Sequence, residues 1–236
     1  MSALAQQGVP ATALRSLPLL TLHLTERCNS RCISCDYWRH GRDDVTLASV
    51  TRLLPRLAEL GTHTILVSGG EPLLHPQWAE IAGLLRQNGQ QLWLLTSGLS
   101  LAKHAAKAAS LFQSITVSLD GIDAAMYAAI RGLDAFDKVC EGISAVAGRV
   151  PVGLRVTVQR LNFRALSTFV DLAHDLRVNQ ISFLAADVSN PHAFGRAPGF
   201  ATNIALQPDD LPAFTTVLEH LERDHAQDFQ RRFIAE

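Results

Sequence analysis

Cysteine, aromatic side chains, surplus charge and long apolar runs are all scarce in this chain, and each scarcity excludes something. Four of 236 residues are cysteine, and three of them fall between Cys28 and Cys35. A secreted disulfide framework would spread its cysteines, so the pattern reads as a cytoplasmic protein with a cysteine-ligated site. Aromatic residues make up 6% of the chain, poor material for platforms that stack bases. Lys plus Arg number 21 against 22 Asp plus Glu, a formal net charge of −1. No broad positive field is available, which argues against general nucleic-acid binding. No run approaches the ~18 apolar residues of a membrane span, so no membrane partner is expected. No secretion signal is expected either: the first basic residue is Arg15, and the apolar stretch after it is broken by Thr21 and His23.

What is present is a core. The apolar fraction is 47% and the charged fraction 18%, which excludes a disordered or collagen-like chain. Residues 1–16 read as a loose Ala/Gln-rich leader, and 17–236 as one domain. Short apolar segments rich in Val, Ile and Thr predict strands at Leu19–Thr25, Thr64–Ser68, Gln91–Thr96, Ser114–Leu119, Gly153–Gln159 and Gln180–Ala185. Segments of helical period lie between them: Thr46–Leu60, Pro76–Asn88, Ala102–Leu111, Ala135–Val146, Phe163–Leu176 and Pro208–Leu221. Gly61 and Asn88-Gly89 close helices, as a C-terminal Gly does. Six strand–helix units in sequence give an α/β fold of parallel strands, as a doubly wound sheet or a barrel arc. Both bind ligands at the C-terminal strand ends.

The first strand runs into Cys28-Asn29-Ser30-Arg31-Cys32-Ile33-Ser34-Cys35. Three thiolates on one tight loop suit zinc or an iron–sulfur cluster. Structural zinc takes four closed ligands, and no fourth is local unless His40 serves in a zinc knuckle. An ordinary [4Fe–4S] cluster also takes four cysteines, so three would leave one iron open for a substrate or cofactor. Cys140 sits on a helix and reads as a core cysteine rather than a ligand.

Two further strand ends carry marked motifs: Ser68-Gly69-Gly70-Glu71-Pro72 after the second strand and Ser118-Leu119-Asp120-Gly121 after the fourth. Cys-x3-Cys-x2-Cys, GGEP and S-x-D-G in this order, each at a strand end, resemble the signature of radical S-adenosylmethionine (radical SAM) enzymes. The resemblance runs from about Leu17 to about Asp187. It implies a partial (β/α)6 barrel of the TIM-like kind. It implies that Cys28, Cys32 and Cys35 hold a [4Fe–4S] cluster whose fourth iron is chelated by S-adenosylmethionine. One electron would then release a 5′-deoxyadenosyl radical that abstracts hydrogen from an organic substrate.

The same resemblance implies roles for the strand ends. Gly69, Gly70 and Glu71 would accept hydrogen bonds from the SAM ammonium, with Pro72 fixing the exit from the strand. Ser118 and Asp120 point to one side and suit ribose hydroxyls or the SAM carboxylate. Thr96-Ser97-Gly98 stands where relatives often carry T-N-G, so Ser97 is a candidate ribose contact. Arg131 suits a carboxylate. Asn162 reads as a turn residue before an adenine contact. Ordinary turns are the competing reading at each Gly and Asp site. Ser34 stands where many relatives have an aromatic residue, and Tyr37 and Trp38 follow closely. With no cysteine after Cys35 except Cys140, one cluster is expected. The implied partners are a one-electron donor such as flavodoxin or ferredoxin and an unidentified substrate, peptide or small metabolite. The loop 187–200, with His192, Phe194 and Arg196, is the candidate for substrate contact. The alternative is a noncatalytic cysteine-ligated zinc or iron–sulfur module. A Rossmann-type nucleotide binder is weak, since no G-x-G-x-x-G follows the first strand.

Overall fold

The structure is a computed structural model that describes residues 14–190, Phe194 and residues 204–235. Among them one parallel sheet runs in sequence order: β1 (Leu19–Thr25), β2 (Thr64–Gly69), β3 (Gln91–Thr96), β4 (Ser114–Ser118), β5 (Val152–Val158), β6 (Gln180–Ala185) and β7 (Ile234–Ala235). The six expected strands are present within a residue or two at each end. The seventh, two residues pairing Ile234 with Ile181, was not expected. So short a segment carries no periodicity to read.

The helices are α1 (Tyr37–His40), α2 (Leu47–Glu59), α3 (Trp78–Gln87), α4 (Leu101–Leu111), α5 (Ala124–Arg131), α6 (Phe136–Val146), α7 (Leu166–Asp175), α8 (Leu211–Asp224) and α9 (Ala226–Gln230). Local chemistry starts several of them. The Thr46 hydroxyl accepts from Ser49 N–H at 3.1 Å to open α2, and Asp123 accepts from Met126 N–H at 2.7 Å to open α5. Helix α5 stops at Gly132, whose φ of 74° is the left-handed region. A side chain there would also strike the backbone carbonyl of Arg31 at 2.3 Å. The glycine therefore lets the cysteine loop lie against the end of α5.

Alternation divides the sheet into two faces. Ile65, Val67, Leu92, Leu94, Ile115, Val117, Leu154 and Val156 are buried against helices, including Ile81 and Leu85 of α3 and Ile143 of α6. The intervening residues face a hollow: Trp93 is 39% exposed and Leu184 is 48% exposed. Parallel sheets are ordinarily covered on both faces. Here the inner face lines the open arc, as in a partial barrel. The residue expected in the core at Cys140 is half-exposed; its neighbour Val139 takes the buried position on α6.

The sheet's last edge is held by a small polar cluster. Asp228 of α9 accepts from His174 Nε2 of α7 at 3.0 Å and from His225 Nδ1 at 3.1 Å, and Phe233 stacks on the His174 ring with centroids 4.1 Å apart. Burial works against the Asp228 charge, but the two histidine hydrogen bonds outweigh it and hold the carboxyl below its ordinary value. A depressed folded-state value gives stability above the unfolded pKa of about 4 that is lost as pH falls through the folded one. Asp228→Asn should therefore be about 1 kcal/mol less stable than the parent at pH 7. The gap should close below about pH 4, read by urea unfolding across pH. A gap that stays constant down to pH 3 would count against this assignment.

Candidate active site at the strand ends

A cavity of about 330 Å³ opens at the C-terminal ends of β1 to β6, a volume within the usual range for small-molecule sites. It brings together Cys28, Cys32, Cys35, Gly69, Gly70, Ser97, Ser118, Asp120 and Arg131 from positions as far apart as 28 and 131. Glu71 and Pro72 do not line it. Tyr37, Trp38 and Ser34 do, and so does Phe194. The Phe194 carbonyl accepts from Asp36 N–H at 2.9 Å and lies 3.4 Å from the Cys35 sulfur. The loop after β6 thus reaches the cysteine loop at that point; His192 and Arg196 lie outside the described residues, as does the leader over residues 1–13.

The cysteine loop has little regular structure and is held by its neighbours. The N–H groups of Arg31 and Ile33 donate to the carbonyls of Arg131 and Ile130 at 2.9 and 3.0 Å. These are carbonyls left over at the end of α5. Arg131 Nη1 reaches the Cys32 sulfur at 3.6 Å, and Arg131 Nε pairs with Asp120 Oδ2 at 2.8 Å. Asp120 Oδ1 accepts from Thr157 N–H at 2.7 Å. Both partners of the pair are buried. Burial opposes the Arg131 charge, but Asp120 and the Cys32 sulfur outweigh it and raise its pKa. Arg131 and Asp120 are thus committed to one another. Asn162 is the turn residue it was read as: it donates to the Asp120 and Thr157 carbonyls and accepts from Gln159 N–H.

On the other flank, the exit of β2 pairs with the entry of the cysteine loop. Gly70 N–H donates to the Thr25 carbonyl at 2.7 Å and Glu71 N–H to the Arg27 carbonyl at 2.8 Å. A side chain at Gly69 or Gly70 would strike those same carbonyls at 2.4 or 2.3 Å. The glycine pair therefore serves the approach of two chain segments, whatever else it contacts. Pro72 opens a single 3-10 turn, Pro72–Leu74. The Glu71 carboxylate, fully buried, accepts from Thr96 Oγ1 at 2.8 Å, Ser97 N–H at 2.7 Å, Ser97 Oγ at 2.6 Å and Leu73 N–H at 3.1 Å. It bridges β2 to β3, and Ser97 passes the link on to Asn29 in the cysteine loop at 3.3 Å.

The sequence reading missed Arg155. It lies on the inner face of β5, lines the cavity, and its buried Nε has no hydrogen-bond partner. No ion pair engages it among the described residues. The signal was available: Gly153, Arg155 and Thr157 alternate on one face, and an arginine within a strand's apolar alternation is out of pattern.

The thiols of Cys28 and Cys35 are pushed up by burial, Cys28 to about 11. Among the described residues, no three His, Cys, Asp or Glu side chains are arranged to hold one metal ion. A tetrahedral zinc needs all its ligands on a single centre. Cys140 lies outside the cavity.

Replacing Glu71 by Gln turns an amide N–H₂ onto groups that all donate. Glu71→Gln should lower the unfolding free energy by ~2–3 kcal/mol, because buried donors lose their acceptor. Hydrogen exchange at Ser97 N–H should rise in step. Unchanged stability with unchanged exchange would show that the carboxylate does not hold β2 to β3.

Comparison with known proteins agrees with this geometry. A family model, Radical SAM superfamily, matches residues 22–173. The probable GTP 3′,8-cyclase of Saccharolobus solfataricus is 33% identical over 183 residues, covering 72% of this chain and 57% of that protein. The GTP 3′,8-cyclase of Pectobacterium atrosepticum is 32% identical over 169 residues, covering 66% of this chain and 51% of the relative. The chain thus spans a little over half the length of these relatives. Among solved structures, Streptococcus suis SuiB bound to precursor peptide SuiA superposes with a TM-score of 0.72 at 12% identity, covering 90% of this chain and 47% of SuiB. Native anSMEcpe with bound AdoMet and Cp18Cys peptide gives 0.71 at 21% identity, covering 92% and 63%. These likenesses show a shared fold, and the family match carries the rest: this chain is an enzyme of the radical SAM superfamily, whose members bind a [4Fe–4S] cluster and S-adenosylmethionine.

Proposed function

We propose that Cys28, Cys32 and Cys35 hold the cluster and that the cavity beside them binds S-adenosylmethionine and an organic substrate carrying an anionic group. The observation that supports this most is the convergence of three thiols, an open glycine pair, Ser97, Ser118 and one uncommitted arginine on a single cavity. When bound, the cluster and S-adenosylmethionine together supply an electron and a 5′-deoxyadenosyl radical able to take hydrogen from an unactivated carbon.

The chain's own residues bind, orient and exclude water. The Gly69 and Gly70 carbonyls are the proposed acceptors for the cofactor's ammonium, since charge-assisted bonds of this kind are strong. Ser97 and Ser118 present hydroxyls to the same cavity and are the proposed contacts for its polar groups. Glu71 works one step back: its carboxylate is occupied, so it acts by fixing the ends of β2 and β3. Pro72 shapes that exit. The Asp120–Arg131 pair holds Cys32 and the loop around it. Trp38, Leu184 and Phe194 form apolar parts of the wall, which favours a dry site.

Arg155 is the proposed anchor for the substrate's anionic group, because an unpaired guanidinium suits phosphate or carboxylate. The relatives named above make GTP the first compound to try. The reductant is an external one-electron carrier. Among the described residues no helix is long and apolar enough to cross a membrane.

Anaerobic reconstitution should load about four irons with sulfide per chain, and Cys32→Ala should lose both the cluster and 5′-deoxyadenosine formation. One zinc without sulfide, or cofactor cleavage surviving in Cys32→Ala, would contradict the reading. Arg155→Met should raise KM for an anionic substrate by ~10–100-fold, the size of a lost charge-assisted contact. Substrate-independent cofactor cleavage should be little changed. An unchanged KM would remove Arg155 from substrate binding.

A further inference from the structure

A cluster at the mouth of this cavity must be reduced from outside, and its protein wall is thin on one side. The cysteine loop separates two hollows. The inner one is the cavity already described. The outer one is a shallow groove lined by Cys28, Asn29, Arg31, Trp38, Arg39 and Arg42 among others. Cys28 and Trp38 line both hollows. The Trp38 indole N–H also donates to the Cys35 carbonyl at 2.9 Å. Ser30 lines both hollows as well, and since electron transfer weakens steeply with distance, this shared wall marks the way in.

Charge is sorted around this groove. The chain as a whole carries −1, yet the three charged residues lining the groove are arginines, all of them exposed. Most carboxylates of the same stretch have other partners, although Glu26 Oε2 accepts from the Arg42 backbone N–H at 3.3 Å. Asp36 is buried and pairs with Arg39 at 2.9 Å, and Arg39 in turn lies 4.2 Å over the Trp38 ring. Asp44 pairs with Arg27. Glu26, Asp43 and Asp44 line a different hollow. Among the described residues the Arg31 guanidinium has no partner, and that of Arg42 reaches only the Gly41 carbonyl at 2.6 Å. Ile33 stands exposed on the same loop.

We infer that this arginine-lined groove is the docking face for an acidic one-electron carrier protein, and that the electron enters past Cys28 and Trp38. The inference rests on the proposed cluster. A single small anion would need donors converging in a closed pocket; arginines spread around a shallow groove beside an indole and an exposed isoleucine fit a protein surface. Such encounters are small and transient, and opposite charge mainly raises the association rate. The step itself is one electron out of the carrier's reduced flavin, which becomes a semiquinone, and one electron into the cluster, which passes from the 2+ to the 1+ level. No bond on this chain forms or breaks.

The test is anaerobic stopped-flow reduction of the reconstituted protein by reduced flavodoxin, an acidic flavin carrier. The wild-type rate constant should fall as salt rises. Arg31→Glu combined with Arg42→Glu should cut it by at least ~10-fold at low ionic strength and abolish the salt dependence. Arg31→Lys with Arg42→Lys should keep most of the rate, and Arg31→Gln with Arg42→Gln should fall between. Iron and sulfide content, and reduction by dithionite, should be the same in all four proteins. Flavodoxin reduction of the charge-reversed protein at the wild-type rate overturns the docking face while leaving the cluster intact. A wild type that loads no cluster overturns the site reading, and the docking face with it.

Discussion

The shape of the cysteine loop depends on an ion pair that it does not contain. Asp120 lies just past the end of β4 and Arg131 ends α5, and the two meet in a buried pair at 2.8 Å. The guanidinium extends to the Cys32 sulfur, while the carbonyls beside it receive Arg31 and Ile33 N–H. Removing one partner of a buried pair leaves the other charged and unpaired, which typically costs 3–5 kcal/mol. The loop, the strand and the helix therefore move together. Asp120 is further held by Thr157 N–H of β5, so the register of the sheet is carried directly to the thiols.

The opposite flank uses the same device in a different form. Glu71 is a buried carboxylate surrounded by hydroxyl and amide donors rather than by a cation. It ties β2 to β3 and, through Ser97, reaches Asn29 of the loop. Two polar clusters thus hold the loop from its two sides, one a carboxylate–guanidinium ion pair at 2.8 Å and the other a carboxylate surrounded by donors. Satisfied buried networks specify one arrangement, whereas partly satisfied ones do not. The uncommitted polar groups, Arg155 and the Ser118 hydroxyl, lie instead on the cavity wall, where a ligand can take them up. Ser97 belongs to both groups, since it binds Glu71 and also lines the cavity.

Much of this was legible in the sequence because it is local. Strand alternation, cap residues and the three motifs are each written within a dozen residues. The motifs also sit at the C-terminal strand ends, as parallel sheets require. What was not legible is pairing across distance. Glu71 was read as a ligand to a cofactor ammonium; that it also binds Thr96 and Ser97, 25 and 26 positions away, was not visible. Asp120 was read as a cofactor contact and Arg131 as either a carboxylate binder or a surface residue; the structure adds that the two pair with each other. Gly69 and Gly70 were read as room for a ligand, and they also make room for Thr25 and Arg27. Arg155 was overlooked because the strand was read for its apolar residues, and the one charge out of pattern among them was passed over.

The proposed centre is a cluster held by three thiols with one corner free for the cofactor. Electron paramagnetic resonance of the reduced, reconstituted protein, recorded with and without S-adenosylmethionine, tests that claim most directly. The account predicts a signal from the reduced cluster whose g-values shift when the cofactor is added, because it binds at the open iron. A cluster signal indifferent to the cofactor, or no such signal in protein that has bound metal through these thiols, would contradict it.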